Sequence, residues 1–145
     1  TVQQFVDFDL DSSYFTLRED RMGDIEKIAL FDCVSNNADR KAGHCLKDMQ
    51  GKVWSIDHGL TFNEEPKLRT VIWDFVDKAI PATEIDQLID LRRQLDSNDG
   101  FVSRLTYLLE PGEIAALKWR LDVLIRERHF PDRDLYRRDV PWPVY

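Results

Sequence analysis

Cysteine is nearly absent from this chain: Cys33 and Cys45 are the only two in 145 residues. Two thiols make neither a disulfide framework nor a four-ligand zinc site, and they suit a reducing cytoplasm. No apolar run approaches the ~20 residues that a membrane span requires. Positive charge is in deficit, with 20 Lys and Arg against 27 Asp and Glu, a formal net charge of -7. So acidic a chain is a poor polyanion binder, which disfavours nucleic acid as a partner and a polybasic membrane anchor. The six glycines are scattered and form no phosphate-cradling loop. Internal repeats and low-complexity tracts are missing. The sequence opens Thr1-Val2-Gln3-Gln4 with no Met and no signal peptide, and is read as a fragment.

What is present supports one folded domain. Hydrophobic residues are 43% and charged residues 32%, enough to bury a core. Residues 1–8 read as a short strand. Phe8 to Arg21 reads as a loop. The apolar positions Met22, Ile25, Ile28, Ala29 and Cys33 predict a helix over 22–36, stopped by Asn36-Asn37. Two short strands, His44–Lys47 and Lys52–Ile56, flank a turn holding Asp48 and Gly51 and predict a hairpin. The rest, 66–129, reads as helices. Pro66 starts one bearing Leu68, Val71, Ile72 and Phe75, and Thr83 with Asp86 approximates a capping box before the next. Pro111 opens the longest, with Ile114, Leu117, Leu121, Leu124 and Ile125 on its face. The tail, 130–145, reads as extended on the surface, with a small basic-aromatic patch at Arg133, Tyr136, Arg137 and Arg138. The class expected is α+β, mostly α.

The chemistry is concentrated in Asn36–His44 and Ile56–Leu60. A polar loop with Asp39 precedes the hairpin, and Asp57 follows it directly. Because a hairpin returns the chain to its starting point, Asp39, His44 and Asp57 are expected to converge. Two carboxylates and a third ligand in a cleft can hold a hard divalent cation, or let one carboxylate act as a base. Spacing alone leaves the bland alternative open, since Asp-x-Gly is a common turn and a polar loop after a helix is ordinarily a loop.

Asn37-Ala38-Asp39-Arg40, the hairpin, and Ile56-Asp57-His58-Gly59-Leu60-Thr61-Phe62 together resemble the phosphatidylinositol 3-/4-kinase superfamily. The likeness is nearest to the type II phosphatidylinositol 4-kinases and related small bacterial proteins. It covers Asn36 to Phe62, and more weakly runs through Trp73 and Pro81. The resemblance implies a protein-kinase-like C-terminal lobe that transfers a phosphoryl group from ATP under Mg²⁺. Asp39 would orient or deprotonate the attacking hydroxyl, Arg40 would be structural, pairing a carboxylate or carbonyls, and Asp57 would hold the metal. Lys41 would reach a phosphate or be solvated, and the backbone of Phe5 and Val6 in a hinge strand would meet the adenine. The acceptor, whether lipid, protein or small molecule, is not specified.

This sequence departs from the family pattern in two respects. His44 stands where the family has a metal-binding Asn, and since an imidazole is a softer ligand than an amide oxygen, either His44 does not ligate, the metal is Mn²⁺, or metal binding is weakened. The Gly-rich loop and the strand lysine of an N-terminal lobe are not in the chain, so that lobe is an expected partner from the same protein. Two rival classes remain: a kinase-like binding module without activity, and a plain helical interaction domain, which would be favoured if Asp39 and Asp57 lay far apart. His58 is expected either behind the metal Asp or exposed in its turn.

Overall fold

The computed structural model describes residues 4–97, 100–133 and 138–145. Their architecture is α+β and mostly helical: α1 Tyr14–Leu17, α2 Met22–Ser35, a 3-10 turn Ala42–His44, β1 Cys45–Lys47, β2 Val53–Ser55, α3 Ala82–Asp96, α4 Gly100–Leu108 and α5 Pro111–Glu127. The two strands pair antiparallel with Cys45 opposite Ser55 and Lys47 opposite Val53.

The core forms where the helical stripes meet. Ile25 from α2, Ile85 from α3 and Leu121 from α5 are fully buried, joined by Leu17, Leu88, Leu95, Leu117 and Leu124. α5 starts as its sequence requires: Pro111 occupies the first turn, where its missing N–H costs nothing, and Glu113 reaches back to the Glu110 N–H at 2.9 Å. α2 stops at Asn36, whose left-handed backbone (φ 55) lets its N–H bond the Asp32 carbonyl.

One buried ion pair organises the polar half of the molecule. Arg40 and Asp32 are both inaccessible to solvent. Arg40 Nε donates to Asp32 Oδ2 and Nη2 to Oδ1, each at 2.9 Å. Its Nη1 donates to the Ile56 carbonyl at 2.9 Å and the His44 carbonyl at 3.2 Å. These carbonyls stand just before β1 and just after β2, so one guanidinium holds both ends of the hairpin to α2. Asn37 Nδ2 also donates to Asp32 Oδ1 at 2.9 Å. Every partner around the buried charges is satisfied, the condition under which such a pair is tolerated.

The same loop explains the largest departure from expectation. Residues 66–80 are not helical, although Ile72 and Phe75 are buried. Their backbone is instead claimed by the Arg40 loop: Arg69 N–H donates to the Asn37 carbonyl, Arg40 N–H to the Arg69 carbonyl and Val71 N–H to the Arg40 carbonyl. A long-range ladder outcompetes a local helix whose propensity is weak.

Other boundaries shift for local reasons. The expected 1–8 strand is absent over 4–7, and only Phe8 makes a single bridge, to Asp48; Val2 lies outside the described residues. The expected loop after Phe8 contains α1. Thr83 does not cap α3, because Pro81 takes the cap position and puts Thr83 inside the first turn. The tail is tied down by the Val144 carbonyl, which accepts from Ala42 N–H, and by the Asp139 carbonyl, which accepts from Thr70 N–H. Tyr136 and Arg137 of the basic-aromatic patch fall outside the described residues. Among those described, no helix is long and apolar enough to cross a membrane.

Removing one partner of a buried pair strands the other charge, a loss of about 3–5 kcal/mol. Asp32→Ala is expected to lower the unfolding free energy by about that amount in urea titration. Asp32→Leu combined with Arg40→Met is expected to lose less than the two single changes together. A loss under about 1 kcal/mol for Asp32→Ala, the range of exposed pairs, would remove the pair from its organising position.

Candidate functional site

The loop, the hairpin and the Asp57 turn meet where Arg40 draws them together. Ala38 N–H bonds the Leu60 carbonyl at 2.9 Å and Phe62 N–H the Ser35 carbonyl at 2.6 Å, which fastens both sides of the Asp57 turn to the end of α2. Asn36 completes the joint: its Nδ2 donates to the carbonyls of Asn63 and Glu65 while its Oδ1 accepts from Lys67 N–H.

Against this frame His44 is the meeting point. Its Nε2 lies 3.5 Å from Asp57 Oδ2, and its Nδ1 faces the Lys41 N–H at 3.5 Å. Burial, the larger effect, pushes the His44 pKa down; the Asp57 and Asp39 carboxylates pull against it, and Arg40 adds to the lowering. Burial thus favours the neutral form of the ring. Among the described residues the ion-pair contact to this ring comes from Asp57, so the turn after the hairpin returns to its start, while Asp39 pairs with Lys41.

The carboxylates differ in freedom. Asp39 is half-buried and lies 3.4 Å from the Lys41 ammonium, so Lys41 pairs with a carboxylate here. The Asp57 side chain is 60% exposed and its backbone is left-handed at φ 55. Phe62 (φ 64) is left-handed too. A bulky residue there is strained, and such strain gathers at functional sites. Gly59 leaves space beside Asp57, since a Cβ there would stand 3.8 Å from Oδ1. Arg40 sits beneath the site as a structural residue. Its carboxylate partner is Asp32 of the preceding helix, which sequence reading missed; a charged residue on an otherwise apolar helical stretch was the available signal.

His58 is half-buried. Its Nε2 lies 2.9 Å from Ser55 Oγ and its ring meets Phe31 edge-on at 5.1 Å. Burial pushes its pKa down as well. Phe5 is exposed and Val6 half-buried, both in irregular chain. Cys45 is buried, its thiol pushed up to about 12, and burial raises Cys33 further, so neither is a reactive thiolate. Among the described residues no cluster of three or more His, Cys, Asp or Glu side chains is grouped to hold a metal ion. A cavity of about 470 Å³, lined by Lys67, Arg69, Trp73 and Asp139 among others, opens beside the 65–69 segment and does not include Asp39, His44 or Asp57.

No family model matches the chain, and no solved structure does. Over 121 residues it is 34% identical to Protein Rv2133c of Mycobacterium tuberculosis (strain ATCC 25618 / H37Rv), a match that takes in 83% of this chain. The match spans 42% of that protein's length.

Both depressed histidines link stability to pH. A histidine whose folded pKa lies below its unfolded value, near 6.5, takes up its proton more readily when unfolded. Their contribution is therefore complete above about pH 6.5 and declines as the pH falls below it. NMR titration is expected to place the His44 and His58 midpoints below about 6.5. His44→Asn with His58→Asn is expected to flatten the acid side of the unfolding free energy. A His44 midpoint at or above the unfolded value would mean that the carboxylates outweigh burial.

Proposed function

We propose that the chain supplies the catalytic-loop and metal-turn half of an ATP-dependent phosphotransferase of the phosphatidylinositol 3-/4-kinase-like type, with a kinase-like C-lobe as its fold. The observation that supports this best is the approach of Asp57, in the turn after the hairpin, to within 3.5 Å of His44, just before it. The order Asn-x-Asp-Arg, hairpin, Asp-x-Gly is the order that the chemistry uses.

Asp57 and His44 supply a carboxylate and an imidazole, donor types that a divalent cation takes, and phosphates and water would have to complete its shell. Asp57 is a largely exposed carboxylate whose one close neighbour is a neutral imidazole. Magnesium is commonly held by one or two carboxylates, with phosphates and water completing its shell. Asp57 would be the principal ligand and His44 the second, a pairing that favours Mn²⁺. The main-chain groups of Phe5 and Val6 hydrogen-bond to nothing among the described residues, which leaves them open to an adenine edge. When bound, the cation offsets charge on the transferred phosphoryl group. Asp39 orients the acceptor hydroxyl and takes its proton, and Lys41, 3.4 Å away, holds that carboxylate until the acceptor displaces it. Arg40 and Asp32 fix the distance between the two loops. The compartment proposed is the cytoplasm, and the remainder of a longer protein would supply the N-terminal lobe.

A second reading, a kinase-like binding module without activity, draws support from His44 in place of the family's Asn and from the Lys41 ammonium on Asp39.

The test uses Mn²⁺ as a paramagnetic probe of this chain with a non-hydrolysable ATP analogue. Broadening is expected first at residues 39–44 and 56–59, and Asp57→Ala is expected to remove it while leaving the fold intact. His44→Asn is expected to shift calorimetric preference from Mn²⁺ toward Mg²⁺. Uniform or absent broadening would overturn the metal site and leave the binding-module reading.

A further inference from the structure

The 3-10 turn that ends in His44 is held from two sides. On one side Arg40 Nη1 takes the His44 carbonyl at 3.2 Å. On the other, the N–H of Ala42, the first residue of the turn, donates at 2.8 Å to the carbonyl of Val144, far along the chain. Ala42 is fully buried, and an N–H at the start of such a turn finds no partner within it. Residues 139–145 therefore answer a donor that the loop cannot satisfy by itself. Their other end is fastened to the stretch that pairs with the same loop. Thr70 N–H donates to the Asp139 carbonyl at 2.9 Å, between Arg69 and Val71, which both bond the Arg40 backbone. One extended segment thus clasps both partners of the ladder that Arg40 makes.

The clasp is lightly built. Between its two ends the segment stands off α1, leaving a cavity of about 330 Å³ walled by Tyr14, Phe15 and Arg18 on one side and Val140 and Val144 on the other. Trp142 is 77% and Tyr145 64% exposed, so its largest side chains bury little area. Pro141 alone among residues 138–145 is buried. The Tyr145 ring meets Phe15 at 5.4 Å, and the Arg133 side chain that pairs with Asp139 is itself 40% exposed. Few buried apolar contacts and partners near the surface mark a unit that opens well below the cost of global unfolding. We infer that residues 139–145 are a releasable strap on the candidate site. Docked, they fix the turn 41–44 and with it the approach of His44 to Asp57. Released, they give the Ala42 N–H to water and leave the turn free to move. As regulation of that site the strap rests on the phosphotransferase reading; as a motion of the chain it does not.

The test is hydrogen exchange by NMR on the full chain, comparing the Ala42, Thr70 and Leu121 amides. Ala42 and Thr70 are expected to exchange through one shared opening, about tenfold or more faster than Leu121 in the buried core once intrinsic rates are removed. Tyr145→Ala, a surface change, is expected to speed Ala42 and Thr70 together by about threefold to tenfold and to leave Leu121 unchanged. The same change is expected to shift the His44 ring signals, and a chain ending at Val140 to shift them further in the same direction. Exchange at Ala42 or Thr70 as slow as at Leu121 would overturn the inference. So would unequal responses of those two amides to Tyr145→Ala, or His44 signals that stay in place. Should the shortened chain fail to fold, Tyr145→Ala at full length decides. Every readout is the chain's own signal without metal or nucleotide, so failure of the strap and failure of the metal site are told apart.

Discussion

The Arg40–Asp32 pair is the constraint on which the polar half of this molecule depends. A guanidinium buried to zero exposure must satisfy its donors, and the surroundings are arranged to do so. Asp32 is supplied by the last turns of α2, and the His44 and Ile56 carbonyls by the two ends of the hairpin. Those demands fix where the hairpin begins and ends relative to α2. The Asp57 turn, already pinned to the end of α2 through Leu60 and Phe62, follows. The three-residue strands bury little area of their own, and an isolated hairpin of that size is marginal in water. Its position is therefore set from outside, by one side chain.

That arrangement sets the electrostatics of the candidate site. Arg40 is spent on Asp32, and the exposed carboxylate of Asp57 faces the His44 imidazole, whose neutral form burial favours. Asp39 is different, because Lys41 stands close to it. One carboxylate is exposed beside an imidazole while the other is paired with an ammonium. Such a division of labour between two acids is what environment, rather than residue type, decides.

How much of this could be read in the sequence follows from how local each signal is. α2 and α5 were legible because their stripes, caps and breakers lie within a few residues: Asn36 ends one and Pro111 opens the other. The hairpin was legible from Asp48 and Gly51, where Gly51 takes the positive φ the turn needs. Residues 66–80 were misread because Leu68, Val71, Ile72 and Phe75 carry helical spacing while their backbone pairs with a loop some thirty residues earlier. Periodicity records which side chains are buried, not which backbone partner wins. Asp32 showed only as a charge in an apolar helical stretch, and nothing near it in sequence says that Arg40 will reach it. Of the strand expected at 1–8, Phe8 alone bridges, to Asp48, and over 4–7 the chain is irregular.

Within the site, the approach of Asp57 to His44 was legible from the hairpin alone, whereas the pairing of Lys41 with Asp39 was not. Whether the convergence serves phosphoryl transfer is a question about one cation. The most direct measurement is a crystal of this chain soaked with Mn²⁺ and a non-hydrolysable ATP analogue, examined by anomalous scattering at the manganese edge. A peak within coordination distance of the Asp57 carboxylate, on the side of His44, is the predicted result. A clearly bound nucleotide or manganese elsewhere, with Asp57 and His44 untouched, would contradict the account.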